Sequence, residues 1–387
     1  MKFVVNCTEL KKAADKAMAV MPKKTTMSIL EHMQISTEEN AITIHVNNSE
    51  QFVEVRVSAT VIEPGVTYIH KDNIKKVYGL SDMVTVEVED GLFNVKGSKK
   101  KSAVPVKVYK EDDLISFPTM ENADMYMDIE GQRLVQTLGS LSCFISDNFN
   151  NIMMTGYSFD GKAKRIVALD SHRIGLRRME NDFMTDKKIV VPGVVYSQLK
   201  KISTAKSGNI QVLANDKHVE FIGEDFKLYS RLIAGEYFNI DTMLDTFYDY
   251  QLVIDPKELY KLCKEYYGVA KSAKAPMYFT YNKEHNLVRT GISTSDYITV
   301  DELETVDKNK STGLNKDFIY GFNPLYIYEA MQLFDGEVKC CGVLKTGSFR
   351  NVICPIVFDD DEYLAFVLPV NIASELTDKF IEYLNAA

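Results

Sequence analysis

The sequence predicts an α+β chain of three similar domains, each built from two strand–helix–strands half-units rich in antiparallel sheet. Residues 3–10 (FVVNCTEL), 127–134 (MDIEGQRL) and 252–259 (LVIDPKEL) each read as a short alternating strand, a polar break and a helix start, at offsets of 124 and 125 residues. Residues 66–79, 188–201 and 319–332 repeat that plan once more within each third. The length of 387 residues also divides naturally into three at ~100–150 residues per domain. A solenoid unit recurs every ~20–50 residues, so whole domains repeat here, and three in one chain suggest an arc or a ring.

In chain order, the first helix is expected over 9–20. The second half-unit of each third continues into alternating β segments: Val84–Glu89 with Phe93–Lys96, Ile210–Ala214 with Val219–Ile222, and Val338–Val343 with Val352–Ile356. Asp90-Gly91 and Asn215-Asp216 between them are hairpin turns. The polar stretches 110–124 (KEDDLISFPTMENAD) and 240–250 (IDTMLDTFYDY) separate the thirds. The domains are therefore 1–122, 123–249 and 250–372, followed by an extension, 373–387. In that extension Leu376, Phe380, Ile381 and Leu384 form a helical stripe behind Ser374 as N-cap. The helix is expected either to cover apolar surface on the third domain or to approach a neighbouring partner site.

Composition is that of a globular protein, with 45% apolar and 26% charged residues. No apolar run approaches the ~18–20 residues of a membrane span, and the start MKFVVNCTEL lacks a signal-peptide plan. A cytoplasmic location follows as the expectation, with no membrane partner. The six cysteines, Cys7, Cys143, Cys263, Cys340, Cys341 and Cys354, contain no CxxC pair and read as reduced thiols without a metal.

Catalytic chemistry finds little support. Asp170, Ser171 and His172 are consecutive, and neighbouring side chains in an extended chain point to opposite faces, so they form no triad. The other histidines, His32, His45, His70, His218 and His285, lack HxH or HExxH spacing. Gly161, Gly175 and Gly193 lie too far apart for a nucleotide fingerprint. Asp359 to Glu362 is a charged hairpin tip rather than a Mg²⁺ site. No cofactor is expected. An α+β hydrolase using His172 would need a nucleophile elbow or metal spacing, and neither is visible.

Lysines recur on the predicted helices: Lys12, Lys16, Lys23 and Lys24 in the first half-unit, Lys75 and Lys76 in the second, Lys200 and Lys201 in the fourth, Lys261 and Lys264 in the fifth. Singly, each pair is an ordinary solvated face. Recurrence at similar places suits a polyanion such as duplex DNA, with one charge per ~1.7 Å of axis. No base-reading element accompanies them, so binding would be independent of sequence. The net charge of −9 concerns solubility and does not describe one face. A repeat-built interaction scaffold with plain solvated lysines is the alternative.

Five segments in order then carry a resemblance over residues 1–372 to the bacterial DNA polymerase III beta subunits, the replicative sliding clamps. They are Thr25 to Leu30 (TTMSIL), Ala168 to Leu176 (ALDSHRIGL), Ser230 to Tyr237 (SRLIAGEY), Gly321 to Asn323, and Tyr363 to Ile372 (YLAFVLPVNI). The resemblance implies a non-catalytic processivity factor of the replicative DNA polymerase. It would be a head-to-tail homodimer, sheets outside and helices lining a central hole around duplex DNA, with Lys24 at a phosphate-contact position. It also implies an apolar peptide pocket for the polymerase catalytic subunit, the clamp loader and other replication or repair proteins. On one side the pocket positions are Ile152, Leu169, Ser171, His172, Arg173 and Ile174. On the other they are Phe238, Thr242, Met243, Phe366, Val367, Leu368 and Val370, with His172 and Arg173 as a polar rim. Phe238, Thr242 and Ser171 depart from the family's usual Pro, Arg and Gly. At the dimer contact the matching positions are Ser102, Val104, Val269 and Ala270, small side chains that imply a weaker dimer.

Overall fold

The computed structural model describes residues 1–78, 82–109, 118–203, 208–244, 248–282, 287–306, 317–343, 354–372 and 375–386. His285, Ser374 and the start of the expected Val352–Ile356 strand lie outside them.

The element order repeats three times. The first third runs β1 (Lys2–Asn6), α1 (Cys7–Ala17), β2 (His32–Thr37), β3 (Ala41–Asn47), β4 (Gln51–Glu63), β5 (Val66–His70), α2 (Lys71–Ile74), β6 (Met83–Glu89), β7 (Leu92–Lys96) and β8 (Lys101–Lys107). The second runs β9 (Asp124–Glu130), α3 (Gly131–Leu141), β10 (Gly156–Asp160), β11 (Arg165–Leu169), β12 (Arg173–Arg178), β13 (Lys188–Pro192), α4 (Val194–Ile202), β14 (Asn209–Ala214), β15 (His218–Ile222) and β16 (Phe226–Arg231). A single turn, α5 (Asp241–Leu244), leads to the last. That third runs β17 (Tyr250–Ile254), α6 (Pro256–Ala273), β18 (Met277–Asn282), β19 (Leu287–Ser293), β20 (Ile298–Glu302), β21 (Phe318–Phe322), α7 (Pro324–Met331), β22 (Val338–Gly342), β23 (Ile356–Asp359) and β24 (Tyr363–Val367). A terminal helix, α8 (Glu375–Ala386), follows.

At Asn6, Asp255 and Asn323 the polar break is a helix cap. Asn6 Oδ1 accepts from the amides of Thr8 and Glu9 at 2.9 and 3.2 Å. Asp255 accepts from Lys257 N at 2.8 Å and Asn323 from Leu325 N at 3.0 Å, each followed by a proline in the first turn. These side chains satisfy amides that lack an intrahelical partner, and proline has none to satisfy. In α1, Cys7, Leu10, Ala13, Ala14 and Ala17 are buried at helical spacing, while Lys11 and Lys12 point outward.

The chain packs as two compact units: Met1–Leu138 with Gly161–Ala163 and Asn181–Gly235, and Gly139–Asp160 with Lys164–Glu180 and Glu236–Ala387. In the first unit one antiparallel sheet runs β1-β6-β7-β8-β5-β2-β3-β4-β16-β15-β14-β9. β4 and β16 join strands of different thirds, Val55 opposite Phe226 and Gln51 opposite Ser230. In the second unit β10-β11-β12-β24-β23-β22-β17 are consecutive neighbours, and β20-β19-β18-β21 form a separate sheet. Here β12 and β24 make the equivalent join, Arg173 opposite Val367 and Arg177 opposite Tyr363. α6 and α7 pack side by side, the hydroxyls of Tyr260 and Tyr328 3.0 Å apart.

The turn at Asp359 to Glu362 is the hairpin tip expected. Asp359 takes both Arg178 amino groups at 2.9 and 3.0 Å, and Asp360 caps the amide of Tyr363 at 2.7 Å.

α8 lies on the β18–β19 face, and Phe380, fully buried, stacks on Tyr278 with ring centroids 4.2 Å apart. It covers apolar surface of the third sheet. Its apolar anchor is the Tyr278–Gly291 pair.

Candidate functional site

The positions at which a partner peptide was expected fall within the second unit, where β11, β12 and β24 lie side by side. Leu169 stands opposite Ile174, and Ile174 opposite Phe366. These three share one face of the sheet and Val367 lies on the other; all four are 0–5% exposed. Ile152, Phe238, Met243 and Val370 remain 37–54% exposed, Leu368 is half-buried, and Thr242, Ser171 and His172 are exposed. Exposed apolar side chains close to a buried apolar floor are what an anchor-binding groove presents.

Two ties hold the 236–244 segment against β11. Arg165 donates to Asp241 at 2.5 Å, with Asp160 3.7 Å away, which fixes the turn carrying Thr242 and Met243. Tyr237 is 8% exposed, lies against the Leu169 backbone, and sets its ring edge-on to Phe238 at 5.8 Å. Burial raises the Tyr237 phenol well above its ordinary pKa, so it stays neutral.

The turn 170–172 is built around Asp170. Its Oδ1 accepts from the amides of His172 and Arg173 at 2.7 and 3.0 Å, and its Oδ2 from Arg173 Nε at 3.1 Å. Arg173 also donates to Glu329 and to the Cys143 carbonyl, and lies 4.4 Å above the Tyr326 ring. Burial opposes the Arg173 charge, but the hydrogen bond and charge of Glu329 outweigh it and raise the pKa. His172 stacks on Tyr326 at 5.6 Å, and the His172 carbonyl accepts from Leu368 N at 2.9 Å. Arg173 is thus not a rim cation as the sequence implied: with a 7% exposed side chain it fixes the turn that presents His172. The same geometry leaves Ser171 exposed, with its hydroxyl 3.9 Å from Met154 Sδ, and shows no nucleophile–base pair at this turn.

Two cavities adjoin these positions. One of about 510 Å³ lies beneath His172, bordered by Cys143, Ser146, Asp170, Tyr326 and Glu329. Another of about 350 Å³ runs along Val370 to the first turn of α7 and the Lys271–Lys274 end of α6. Burial pushes the Cys143 thiol up to about 12, which keeps it unreactive. Sequence reasoning missed Tyr326 and Glu329, which reach the turn from far downstream, Glu329 being 156 residues beyond Arg173. The asparagine–proline cap at 323–324 was the one local signal, since it places Tyr326 in the first turn of a helix.

The lysines divide by environment. Lys23, Lys24, Lys200, Lys201, Lys261 and Lys264 are exposed. Lys12 pairs with Glu9 at 2.8 Å, Lys75 lies 3.8 Å from Asp72, and Lys76 donates to Asn73 at 2.9 Å, all at the surface. Lys16 is a correction: its ammonium is 2.6 Å from Asp225 and its side chain only 12% exposed, so its charge is neutralised within the first unit. Val104 and Ala270 are also corrected. At 3% and 5% exposed they face their own cores and offer no surface to a second copy, while Ser102 and Val269 are half-exposed.

Among the described residues, no group of three or more His, Cys, Asp or Glu side chains is placed to hold a metal, and no helix is long and apolar enough to cross a membrane.

Comparison with known proteins follows the same lines. Residues 128–239 match the family of the DNA polymerase III beta subunit, central domain. The beta sliding clamp of Bacillus subtilis is 20% identical, with 96% of this chain and 99% of that protein covered. A crystal structure assigned to the DNA polymerase III beta subunits, from Eubacterium rectale, superposes with a TM-score of 0.84 at 27% identity, covering 96% of this chain and all of that one. The Helicobacter pylori beta clamp bound to a DNA ligase peptide gives a TM-score of 0.77 at 18% identity, with 96% of this chain and 100% of that chain covered. The chain is therefore similar to the bacterial DNA polymerase III beta subunits, through the central-domain match at 128–239 and a shared fold over almost its whole length.

Proposed function

We propose that the chain is a non-catalytic processivity clamp. Two copies join head to tail in a ring around duplex DNA. The groove at Leu169, His172, Met243 and Leu368 then tethers the polymerase catalytic subunit, the clamp loader and other replication or repair proteins. Tethering to an encircling ring keeps a weakly bound enzyme at high local concentration near the primer end. The domains in this reading are 1–122, 123–249 and 250–372, and the work is done in the cytoplasm.

The strand order carries the proposal. β4, β12 and β20 are counterparts, as are β8, β16 and β24. β4 pairs with β16 and β12 with β24, so the same rule calls for β20 to pair with β8. Within one chain, β20 ends its sheet beside β19, and residues 101–105 of β8 pair with β7 while only Val106 and Lys107 meet β5. An open edge invites a strand from another chain, and head-to-tail pairing closes both edges at once. The charges agree with this: Lys96, Lys99, Lys100 and Lys101 flank the β8 edge, and Asp296, Asp301, Glu302 and Glu304 flank β20. In this reading the closing contact runs through those strands and not through the side chains of Val104 and Ala270.

The exposed lysines at 12, 23, 24, 75, 76, 200, 201, 261 and 264 supply a sequence-independent attraction for phosphates. Retention on a nicked circular plasmid tests the reading. It should persist at a salt concentration that abolishes binding to short duplexes, and end when the plasmid is linearised. Equal retention on circle and line would replace the clamp with a scaffold that does not encircle DNA.

A further inference from the structure

We propose that α8 braces β20 and so sets how firmly two copies of the chain hold together, an inference that rests on β8 and β20 being the closing strands. A strand at the end of a sheet has a ladder on one side only, so its register depends on what packs over its neighbours. The β20-β19-β18-β21 sheet is covered on both faces. α6 lies on one, with Cys263 Sγ 3.5 Å from Met277 Sδ and the Tyr266 hydroxyl 3.0 Å from Thr290 and 2.6 Å from Asp301. Side chains alternate across a strand, so Tyr278 and Gly291 face the other way, and α8 covers them.

Tyr278 and Gly291 are cross-strand partners, and Phe380 sits on both. Gly291 leaves the room: a Cβ there would lie 2.7 Å from Phe380 Cε2. The Tyr278 hydroxyl meets Thr377 Oγ1 at 3.0 Å, and Thr377 in turn bonds the Ile372 carbonyl, which pins the first turn of the helix.

The polar ties reach further, to both ends of β20. Lys379 Nζ donates to the carbonyls of Thr294 and Ser295 at 3.3 and 3.1 Å, the residues that begin the turn into β20. Arg289 donates to the Leu384 carbonyl at 3.4 Å while lying 3.8 Å from Glu302, the last residue of β20. A helix that merely hid apolar surface would need Phe380 alone. Lys379 and Arg289 instead act as positioning residues for the strand that a second copy must meet.

The test compares the full chain with a chain ending at Ile372, with Lys379→Ala, and with Phe380→Ala and Phe380→Leu. Sedimentation gives the dimer dissociation constant, fluorescence transfer between labelled copies gives the exchange rate, and circular dichroism reports folding. Removal of α8 should raise the dissociation constant by about tenfold or more and speed exchange, while far-ultraviolet circular dichroism changes only by one lost helix. Phe380→Leu should recover most of the loss seen with Phe380→Ala. A folded, truncated chain that dimerises as tightly as the full one overturns the brace. If truncation prevents folding, Lys379→Ala decides, because it leaves Phe380 seated, and an unchanged dissociation constant again overturns the proposal. A full chain that stays monomeric at every concentration rejects the closing strands themselves, and the brace falls with them.

Discussion

Arg173 and Glu329, 156 residues apart in the chain, form an ion pair at the base of the groove, and the Tyr326 ring lies under the same guanidinium. The pair orders the turn that carries His172, with the Arg173 side chain 7% and that of Glu329 24% exposed. Removing one partner of a buried pair leaves the other charge desolvated and unpaired. Arg173→Ala should therefore cost about 2–4 kcal/mol of stability and weaken peptide binding as the His172 turn loosens. Arg173→Lys should recover little, since an ammonium cannot bridge Asp170, Glu329 and the Cys143 carbonyl at once. Urea unfolding alongside peptide anisotropy measures both effects. Met243→Asp separates them: Met243 is 42% exposed, so peptide affinity should fall about tenfold or more with the unfolding midpoint unchanged.

The lysines should sort by their surroundings. Lys24→Gln, Lys200→Gln and Lys264→Gln should each lower the slope of log affinity against log salt on short duplexes by about one phosphate contact. Lys16→Gln should leave that slope alone and instead destabilise the first unit, because Asp225 loses its partner at 2.6 Å. A salt titration of all four variants distinguishes the outcomes. A lowered slope for Lys16→Gln would show that its pairing with Asp225 does not persist on DNA.

Acidification should weaken the first unit through two histidines. Burial lowers the pKa of His32, which faces the Ser28 carbonyl, Tyr109, His70, Lys107 and Glu31. It also lowers that of His218, whose ring lies tilted against Tyr229 at 4.8 Å, near Arg231 and Lys217. A depressed folded pKa means that the unfolded chain takes up the proton more readily. The stability is then complete above the unfolded value of ~6.5 and is lost as pH falls through the lower folded value. The urea midpoint should drop between about pH 7 and pH 5, and the double variant His32→Gln/His218→Gln should flatten that drop. A drop of the same size in the double variant would assign it to other groups.

Gly291→Ala should be costly out of proportion to its size. The added methyl would lie 2.2 Å from the Thr299 carbonyl and 2.7 Å from Phe380. Strand and helix must part to admit it, at about 1–3 kcal/mol. The thermal midpoint should fall, and proteolysis should begin at the C-terminal helix. An unchanged midpoint would mean that the contact relaxes freely.

Much of the architecture was legible because it is local. A polar cap announces the helix starts at Asn6, Asp255 and Asn323, and the strand-then-helix plan, found twice per third, exposes the period. What sequence could not show are contacts between distant segments. Asp225 reaches Lys16 across 209 residues, so spacing along α1 marked that lysine as solvent-facing when it is not. The resemblance implied a dimer contact at Val104 and Ala270, yet strand alternation and the helix face turn them inward here. The stripe on α8 correctly announced a helix with a face to bury. Only the Tyr278–Gly291 pair says where, and a glycine in a strand carries no address in one sequence.

The joins β4–β16 and β12–β24 each tie two thirds of one polypeptide. Such unimolecular seams answer to temperature and denaturant and are indifferent to cellular dosage. In the proposed ring, the junction between copies alone would follow mass action. Dilution would then part the two halves while leaving each fully folded, and a loading machine would need to prise apart one kind of seam without melting anything.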